Sequence, residues 1–279
     1  MIEVTLAKSA GFCYGVKRAV NLTNEALQEY DELYSKGNVV NNKNVVDDLE
    51  SKGLKRFCNV SELNKNSNVL IRAHGITCEE LNEYEQLRCN IVDATCPNVK
   101  KIHEIVKKYA NTDYEIIIIG DKSHPEVLGI ASYGGCYVDI ISNEDEVKKY
   151  NKVCVVEQTT FSKEYAQKII DKISLASKEQ IIYNTICEAT STRQNDVKEL
   201  AKTHEMVVVV GDKESANSNR LYEIAKAINK NTIFIEDANQ INISEFSSYS
   251  KIGITAGAST PDEIIKNVID KIKGEITIK

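Results

Sequence analysis

Hydrophobic positions along the chain follow two alternating patterns. Short uninterrupted apolar runs, such as Ile116–Ile119 and Val207–Val210, are typical of buried strands. Between such runs, apolar residues recur every three or four positions, which is the stripe of an amphipathic helix. Two of these stripes are Val16, Val20, Thr23, Leu27 and Tyr30, and Val99, Ile102, Val106 and Tyr109. The alternation of strands and helices predicts an α/β fold with mostly parallel sheets.

The strand and helix pattern repeats, and cysteines mark the repeats. Cys96 and Cys187 each precede a predicted helix, and each helix is followed by a strand that ends in Gly-Asp-Lys. Gly120 lies 24 residues after Cys96, and Gly211 lies 24 residues after Cys187. Cys13 stands in the same position before the first predicted helix. Such self-similarity at a fixed spacing indicates an internal repeat.

The repeat predicts three similar α/β units, which we expect to be arranged pseudo-threefold around one central site. The predicted units are residues 13–95, 96–186 and 187–273, with residues 1–12 and 274–279 as flanking segments. In each unit a helix of about 15 residues and a returning strand of about 6 residues cover similar distances. The loop after the strand therefore returns to the level of the cysteine, at the sheet edge where ligands of parallel sheets usually bind.

Polar residues occupy these loops at equal offsets. The residues that lie 28 positions after the three cysteines are Asn41, His124 and Ser215. A later strand in each unit ends in a second polar loop, and these loops contain His74, Thr159 and Ser259. Each unit is thus predicted to direct one cysteine and two polar loops at the shared centre.

Composition and charge exclude several classes of protein. The chain has 279 residues, of which 42% are hydrophobic, and its longest apolar runs are far shorter than the roughly 18 residues of a membrane span. No apolar segment typical of a signal peptide follows the N-terminus, so we expect a cytoplasmic protein. The net charge of −6 does not indicate the excess of basic residues that proteins use to bind nucleic acid. We therefore expect neither a nucleic-acid nor a membrane partner.

The eight cysteines favour a metal centre assembled from distant segments. Without a secretion signal, reduced thiols are more typical than disulfides, and the chain contains no CxxC, GxGxxG or Walker A motif. Three thiolates at helix starts could hold zinc or an iron–sulfur cluster, but structural zinc normally has four ligands. A [4Fe–4S] cluster with three protein ligands would leave one iron open for a substrate oxygen. We predict that the metal ligands are Cys13, Cys96 and Cys187.

The other five cysteines have weaker signals. Cys136 and Cys154 fall in strand patterns, Cys58 lies near a short strand, and Cys89 follows a helix, so we expect ordinary core or surface thiols. Cys78, which comes just after the His74 loop, could line the site.

The loop residues suggest acid chemistry beside a diphosphate. A glutamate at the head of a helix, as predicted for Glu126, is suited to delivering protons to a bound oxygen. Hydroxyl, amide and imidazole donors together with helix N-termini form a pocket for a diphosphate without a basic patch. These donors are His74, His124, Thr159, Thr160, Ser215, Asn217 and Ser259. His103 and His204 fall within or at the end of helices, and we expect ordinary structural roles for them.

In nearly its whole length the chain resembles the 4-hydroxy-3-methylbut-2-enyl diphosphate reductase family. The matching motifs, in this order, are AGFCYGV, AHGI, DATCPNVKK, HPEVLG, QTT, TICEATSTRQ, SANSNRL and TAGASTPD. The resemblance implies an oxygen-sensitive [4Fe–4S] cluster on Cys13, Cys96 and Cys187, with the fourth iron open to the allylic hydroxyl of the substrate. It implies that Glu126 provides protons and that Thr159 assists. It further implies that the diphosphate is held by His74, His124, Ser215, Asn217 and Ser259.

The resemblance also implies the rest of the reaction. Two electrons from ferredoxin or flavodoxin would remove the hydroxyl as water, and protonation at either end of the allyl system would give isopentenyl or dimethylallyl diphosphate. Two positions depart from the family. Asn41 stands where the family usually has histidine, and Ala216 stands where it usually has a second serine. The backbone N–H of Ala216 could still serve as a donor, whereas Asn41 puts one contact to the diphosphate in question.

Two other functions are compatible with the residues. One is a hydro-lyase whose open iron acts only as a Lewis acid, without net redox chemistry. The other is a non-enzymatic phosphate-binding or metal-binding module. Reduction of the cluster followed by product analysis distinguishes the hydro-lyase from a reductase. Iron and sulfide analysis distinguishes the binding module from an iron–sulfur enzyme.

Overall fold

Three parallel sheets of four strands each organise the computed structural model, which describes residues 2–246 and 248–276. The strands are β1 (Glu3–Leu6), β2 (Leu33–Lys36), β3 (Leu54–Phe57), β4 (Asn68–Ile71), β5 (Asn90–Asp93), β6 (Glu115–Ile119), β7 (Val138–Ile141), β8 (Tyr150–Glu157), β9 (Ser177–Ile182), β10 (Met206–Val210), β11 (Thr232–Ile235) and β12 (Lys251–Ala256). The strand orders are β1-β12-β10-β11, β3-β2-β4-β5 and β7-β6-β8-β9. The predicted α/β class with three similar parallel units is confirmed.

Helices connect the strands throughout the described residues. They are α1 (Tyr14–Glu29), α2 (Lys43–Ser51), α3 (Cys78–Gln86), α4 (Pro97–Tyr109), α5 (Pro125–Ser132), α6 (Lys163–Ala176), α7 (Glu188–Thr203), α8 (Ala216–Ile228) and α9 (Asp262–Ile276). Across residues 2–246 and 248–276, we find no helix with the length and apolar character that crossing a membrane requires.

The two longest apolar runs form central strands, as predicted. Ile116–Ile119 lies in β6 and Val207–Val210 lies in β10, and all eight side chains are buried. Both strands are central in their sheets, and alternate residues of each strand pack in two different hydrophobic clusters, so both faces are covered. The predicted stripe of α4 is also buried, and it includes His103 in addition to the apolar residues.

Helix α1 differs from its predicted stripe. The helix begins at Tyr14, so Gly15 lies inside its first turn and is buried. The buried positions that follow are Ala19, Thr23 and Ala26, whereas the larger predicted residues are half-buried. Small residues face the interior here, and small side chains contribute little to a hydrophobic pattern.

Cys136 also departs from its predicted place. It lies exposed in the turn before β7 rather than in the strand. The preceding Gly135 has a φ of +71°, a left-handed conformation that ends regular structure and favours glycine. The prediction of a strand at this cysteine was wrong.

The chain divides into two compact units. One consists of residues 1–16, 41–45 and 188–279 and contains the β1-β12-β10-β11 sheet. The other consists of Lys17–Val40 and Val46–Cys187 and contains the other two sheets. The predicted boundaries at 13–95, 96–186 and 187–273 stay a prediction. Of the predicted flanking segments, Met1 and residues 277–279 lie outside the described residues.

Candidate active site

Three cysteines stand at the starts of three long helices. Cys13 directly precedes α1, Cys96 is the N-cap residue of α4, and Cys187 directly precedes α7. All three are partly exposed and none forms a disulfide. The partial positive charge of a helix N-terminus stabilises a thiolate over a thiol. Helix starts of this kind are suitable positions for the thiolate ligands of a metal centre.

The backbone of each cysteine is tied to a polar loop. The Cys13 N–H donates to the carbonyl of Ala258 at 3.1 Å, next to Ser259. In the same way the Cys96 N–H donates to Ala73, next to His74, at 2.9 Å. The Cys187 N–H donates to the Thr159 carbonyl at 3.0 Å. For Cys96 and Cys187 the partner belongs to the second polar loop of the preceding repeat. For Cys13, which lies in the first repeat, it belongs to the second polar loop of the third repeat.

Two of the sulfurs accept hydrogen bonds from nearby amides. The backbone N–H of Val16 points at Cys13 Sγ, with an N···S distance of 3.4 Å. The side-chain Nδ2 of Asn98 donates to Cys187 Sγ at 3.1 Å. Amide donors of this kind favour negative charge on sulfur. Asn98 carried no recognisable signal in the sequence beyond its place in the first turn after Cys96.

Glu126 and Thr159 form a buried acid–hydroxyl pair. Glu126 is 2% exposed and Thr159 is 7% exposed. The Thr159 backbone N–H donates to Glu126 Oε1, and its hydroxyl donates to Oε2, both at 2.7 Å. Burial raises the pKa of Glu126 above its ordinary value, and the two donors of Thr159 partly oppose that rise. The carboxyl group therefore keeps its proton to a higher pH than a surface glutamate does.

The turn after β6 places Glu126 at the head of α5. His124 is the N-cap residue, and Pro125 supplies the first helical position without needing an N–H partner. The Glu126 N–H donates to His124 Nδ1 at 3.1 Å. Gly120 makes the close turn possible, since a Cβ there would lie 2.8 Å from a methyl group of Val127.

His74 and His124 come together at the ends of β4 and β6. Their ring centroids are 5.4 Å apart, and the rings are nearly perpendicular. Burial lowers the pKa of His74 to about 3, with smaller contributions from His124 and Arg72. Burial also lowers the pKa of His124. Because His124 Nδ1 accepts from Glu126, the neutral ring carries its proton on Nε2, which leaves that nitrogen as a donor.

Three further predicted site residues form the start of α8. Ser215 is the N-cap residue, and its side chain accepts from the backbone N–H of Ser218. Ala216 and Asn217 follow in the first turn, and Asn217 Nδ2 is buried with no hydrogen-bond partner among the described residues. Free N–H groups at a helix start and an amide donor without a partner form a ready-made anion site.

Asn41 joins this cluster through its backbone and its side chain. The Ser259 hydroxyl donates to the Asn41 carbonyl at 2.8 Å. Asn41 Nδ2 donates to the carbonyl of Glu214 at 3.4 Å, one residue before Ser215. The predicted loop positions Asn41, Ser215 and Ser259 are therefore brought together. The long Nδ2 contact is weak enough for this amide to exchange partners.

His103 is more closely involved with the site loops than the sequence suggested. Its ring is 7% exposed and lies against Gly75, where a Cβ would come within 3.0 Å of His103 Cε1. It also lies 4.5 Å from the Tyr133 ring, measured between centroids. Burial lowers the pKa of His103 to about 4, so the ring is neutral near pH 7. His204 keeps the ordinary structural role predicted for it, at the end of α7.

The other cysteines differ in their surroundings. Cys154 is buried in β8, and Cys58 and Cys136 are exposed. Cys78 begins α3, and its thiol is hydrogen-bonded to the carbonyl of Ser132 at 3.0 Å. Within the part of the chain that the structure describes, no three His, Cys, Asp or Glu residues are grouped to bind one metal ion.

Comparisons with known proteins agree over nearly the whole chain. The sequence profile of the family described as LytB protein matches residues 4–273. A protein of Pelobacter propionicus named 4-hydroxy-3-methylbut-2-enyl diphosphate reductase is 40% identical over 281 residues, with all of both chains covered. A Clostridium tetani protein of the same name is 39% identical over 279 residues, which cover 98% of this chain and 44% of that protein.

A solved structure shows the same likeness in three dimensions. It is the structure of (E)-4-hydroxy-3-methyl-but-2-enyl diphosphate reductase, described as the terminal enzyme of the non-mevalonate pathway. It is 36% identical to this chain, covers 98% of this chain and all of its own, and has a TM-score of 0.73.

Proposed function

The chain belongs to the LytB protein family, and from that membership we propose that it reduces 4-hydroxy-3-methylbut-2-enyl diphosphate in isoprenoid biosynthesis. The reaction consumes two electrons and two protons. It breaks the allylic C–O bond, releases water and forms a C–H bond, giving isopentenyl or dimethylallyl diphosphate. The observation that carries the proposal is the buried Glu126–Thr159 pair, which provides an acid suited to this reaction in a chain that is 40% identical to a named reductase over its whole length.

We further propose that Cys13, Cys96 and Cys187 hold a [4Fe–4S] cluster. The residues fit such a group, because each thiol stands at a helix start and amide N–H groups point at two of the sulfurs. In a four-iron cluster each thiolate binds a different iron, so its ligands need not converge on one ion. When bound, the cluster supplies the electrons and a Lewis-acidic iron.

Glu126 is the proposed proton donor. Burial raises the pKa of its carboxyl group, and the Thr159 hydroxyl fixes the orientation of Oε2. The Thr159 hydroxyl can continue to donate to Oε2 after the proton has left, so the ionised carboxylate stays hydrogen-bonded. General acid catalysis by a positioned carboxyl group typically contributes about 10²–10⁴-fold to a rate.

Neutral donors are proposed to hold the diphosphate. These are His74, His124, Ser215, Asn217 and Ser259, with the backbone N–H of Ala216 and the side chain of Asn41. His124 offers its Nε2–H, and the first turn of α8 offers backbone N–H groups. Neutral donors of this kind can bind an anion in a chain whose net charge is −6.

The source of the electrons and the cellular location stay predictions. We propose ferredoxin or flavodoxin as the donor, in the cytoplasm. The hydro-lyase and the non-enzymatic binding module are not favoured, since the similar proteins are named reductases.

The proposed function is tested by anaerobic turnover with 4-hydroxy-3-methylbut-2-enyl diphosphate and a chemical reductant such as dithionite-reduced viologen. The proposal predicts isopentenyl and dimethylallyl diphosphate, with two electrons consumed for each molecule of product. A hydro-lyase would yield products without consuming reductant, and a binding module would yield none. Either result would overturn the proposal.

A further inference from the structure

Asn98 connects the helix that begins at Cys96 to the thiol of Cys187. It is the second residue of α4, and its Nδ2 lies 3.1 Å from Cys187 Sγ. The two residues are 89 positions apart in the sequence and belong to the same compact unit. The contact is therefore a tertiary one.

Asn98 is the hydrogen-bond donor in this contact, and the Cys187 sulfur is the acceptor. The Asn98 Nδ2 group can only donate, and sulfur accepts most strongly when it is a thiolate. Cys187 has a second constraint, because its backbone N–H donates to the Thr159 carbonyl. The bond from Asn98 fixes the Cys187 sulfur relative to α4, and the backbone bond fixes Cys187 relative to the loop that carries Thr159.

From this geometry we propose that Asn98 is a positioning residue that holds the Cys187 thiolate in place and makes the bound cluster easier to reduce. The inference rests on the proposed function, since it concerns the cluster ligand. Reduction adds negative charge to the cluster and its thiolates. A hydrogen bond to sulfur stabilises the reduced form more than the oxidised form, so it raises the reduction potential.

The size of the effect follows from the strength of such a bond. Asn98 is an exposed residue, so its bond to Cys187 is partly screened by water. We expect its loss to change the equilibrium constant for one-electron reduction by about tenfold. That factor corresponds to about 59 mV for a one-electron couple.

The test compares Asn98→Ala with Asn111→Ala in protein purified anaerobically with its cluster. Asn111 is an exposed asparagine just beyond the other end of α4, which makes it a matched control. Potentiometric titration followed by electron paramagnetic resonance gives the midpoint potential of each protein. The proposal predicts a potential about 59 mV more negative for Asn98→Ala and no shift for Asn111→Ala. An unshifted potential in a fully loaded Asn98→Ala protein would overturn the inference and leave the proposed function standing.

If Asn98→Ala binds its cluster poorly, the test relies on the iron content and the apo-protein melting temperature of the two variants. Loss of iron from Asn98→Ala, with an apo-protein melting temperature equal to that of Asn111→Ala, supports the positioning role. Loss of iron together with a lower apo-protein melting temperature means that the residue stabilises the fold, which overturns the inference. A wild-type protein without a four-iron cluster would overturn the proposed function and this inference together.

Discussion

Glu126 shows how a single side chain acquires its chemistry from its surroundings. No cation pairs with it among the described residues, and its oxygens accept from Thr159 instead. Burial without a cation disfavours the charged carboxylate, so the pKa of Glu126 is raised. The proton is therefore held below the raised pKa and lost as the pH rises through it. Activity that depends on this proton should fall on the alkaline side of the pH profile.

Replacement of Glu126 by Gln should lower turnover by about 10²-fold or more, because an amide has no acidic proton to transfer. The cluster and the affinity for the diphosphate should be retained, since the shape of the side chain is nearly unchanged. Anaerobic steady-state kinetics and iron analysis measure these quantities.

Glu157→Gln is the matched control for this variant. Glu157 is also buried with a raised pKa, but it accepts from the Thr185 backbone N–H and is not placed in the proposed site. Its turnover should stay within about tenfold of the wild type. Equal losses in the two variants would show that Glu126 has no special role as an acid.

Asn41 gives the second residue-scale prediction. Its weak Nδ2 contact with the Glu214 carbonyl leaves room for a stronger donor to the diphosphate at this position. Asn41→His should retain the cluster, change turnover little and lower KM by up to about tenfold, since a charge-assisted hydrogen bond adds about 1–2 kcal/mol. An unchanged or higher KM would mean that the side chain at this position does not contact the diphosphate.

At the scale of elements, loops and helices hold the site residues through close backbone approach. Gly75, directly after His74, has a φ of +78° and lies against the His103 ring on α4. Tyr133 packs on the same ring just beyond the end of α5, the helix that carries Glu126. His103, which belongs to α4, thus fills the space between the His74 loop and α5.

Gly75→Ala should disturb this packing and shift His74. The variant adds left-handed backbone strain of about 1–3 kcal/mol and a Cβ that meets His103, so we expect a lower melting temperature and a raised KM. Gly53→Ala separates these effects, because Gly53 has a φ of +111° but no atom within 4 Å of the added Cβ. It should lower the melting temperature and leave KM unchanged. If KM rose as much in Gly53→Ala as in Gly75→Ala, the rise would be due to general destabilisation and not to contact with His103.

The elements differ in how far the sequence could predict them. The start of α4 was predictable because Pro97 suits the first helical position and four apolar residues mark one face. The buried face of α1 was not, because Gly15, Ala19 and Ala26 carry too little apolar surface to stand out. The bond between Asn98 and Cys187 was also beyond prediction, since periodicity and spacing say nothing of side chains 89 positions apart.

At the scale of the whole molecule, the internal repeat organises the proposed chemistry. Each of the three cysteines directly precedes a helix and donates its backbone N–H to the second polar loop of another repeat. Equal spacing in the sequence predicted which cysteines share this setting, because a helix and a returning strand of similar reach recur in every repeat. The sequence could not predict which polar loop accepts from each cysteine N–H, because that loop belongs to a different repeat.

The central claim, that Cys13, Cys96 and Cys187 hold a four-iron cluster, is tested most directly by iron and sulfide analysis of anaerobically purified single serine variants. The account predicts about four irons and four sulfides in the wild type. It predicts loss of most of the iron when any of the three cysteines is replaced, and nearly unchanged iron in Cys58→Ser, Cys89→Ser, Cys136→Ser and Cys154→Ser. Full iron content in variants of two of the three proposed ligands would contradict it.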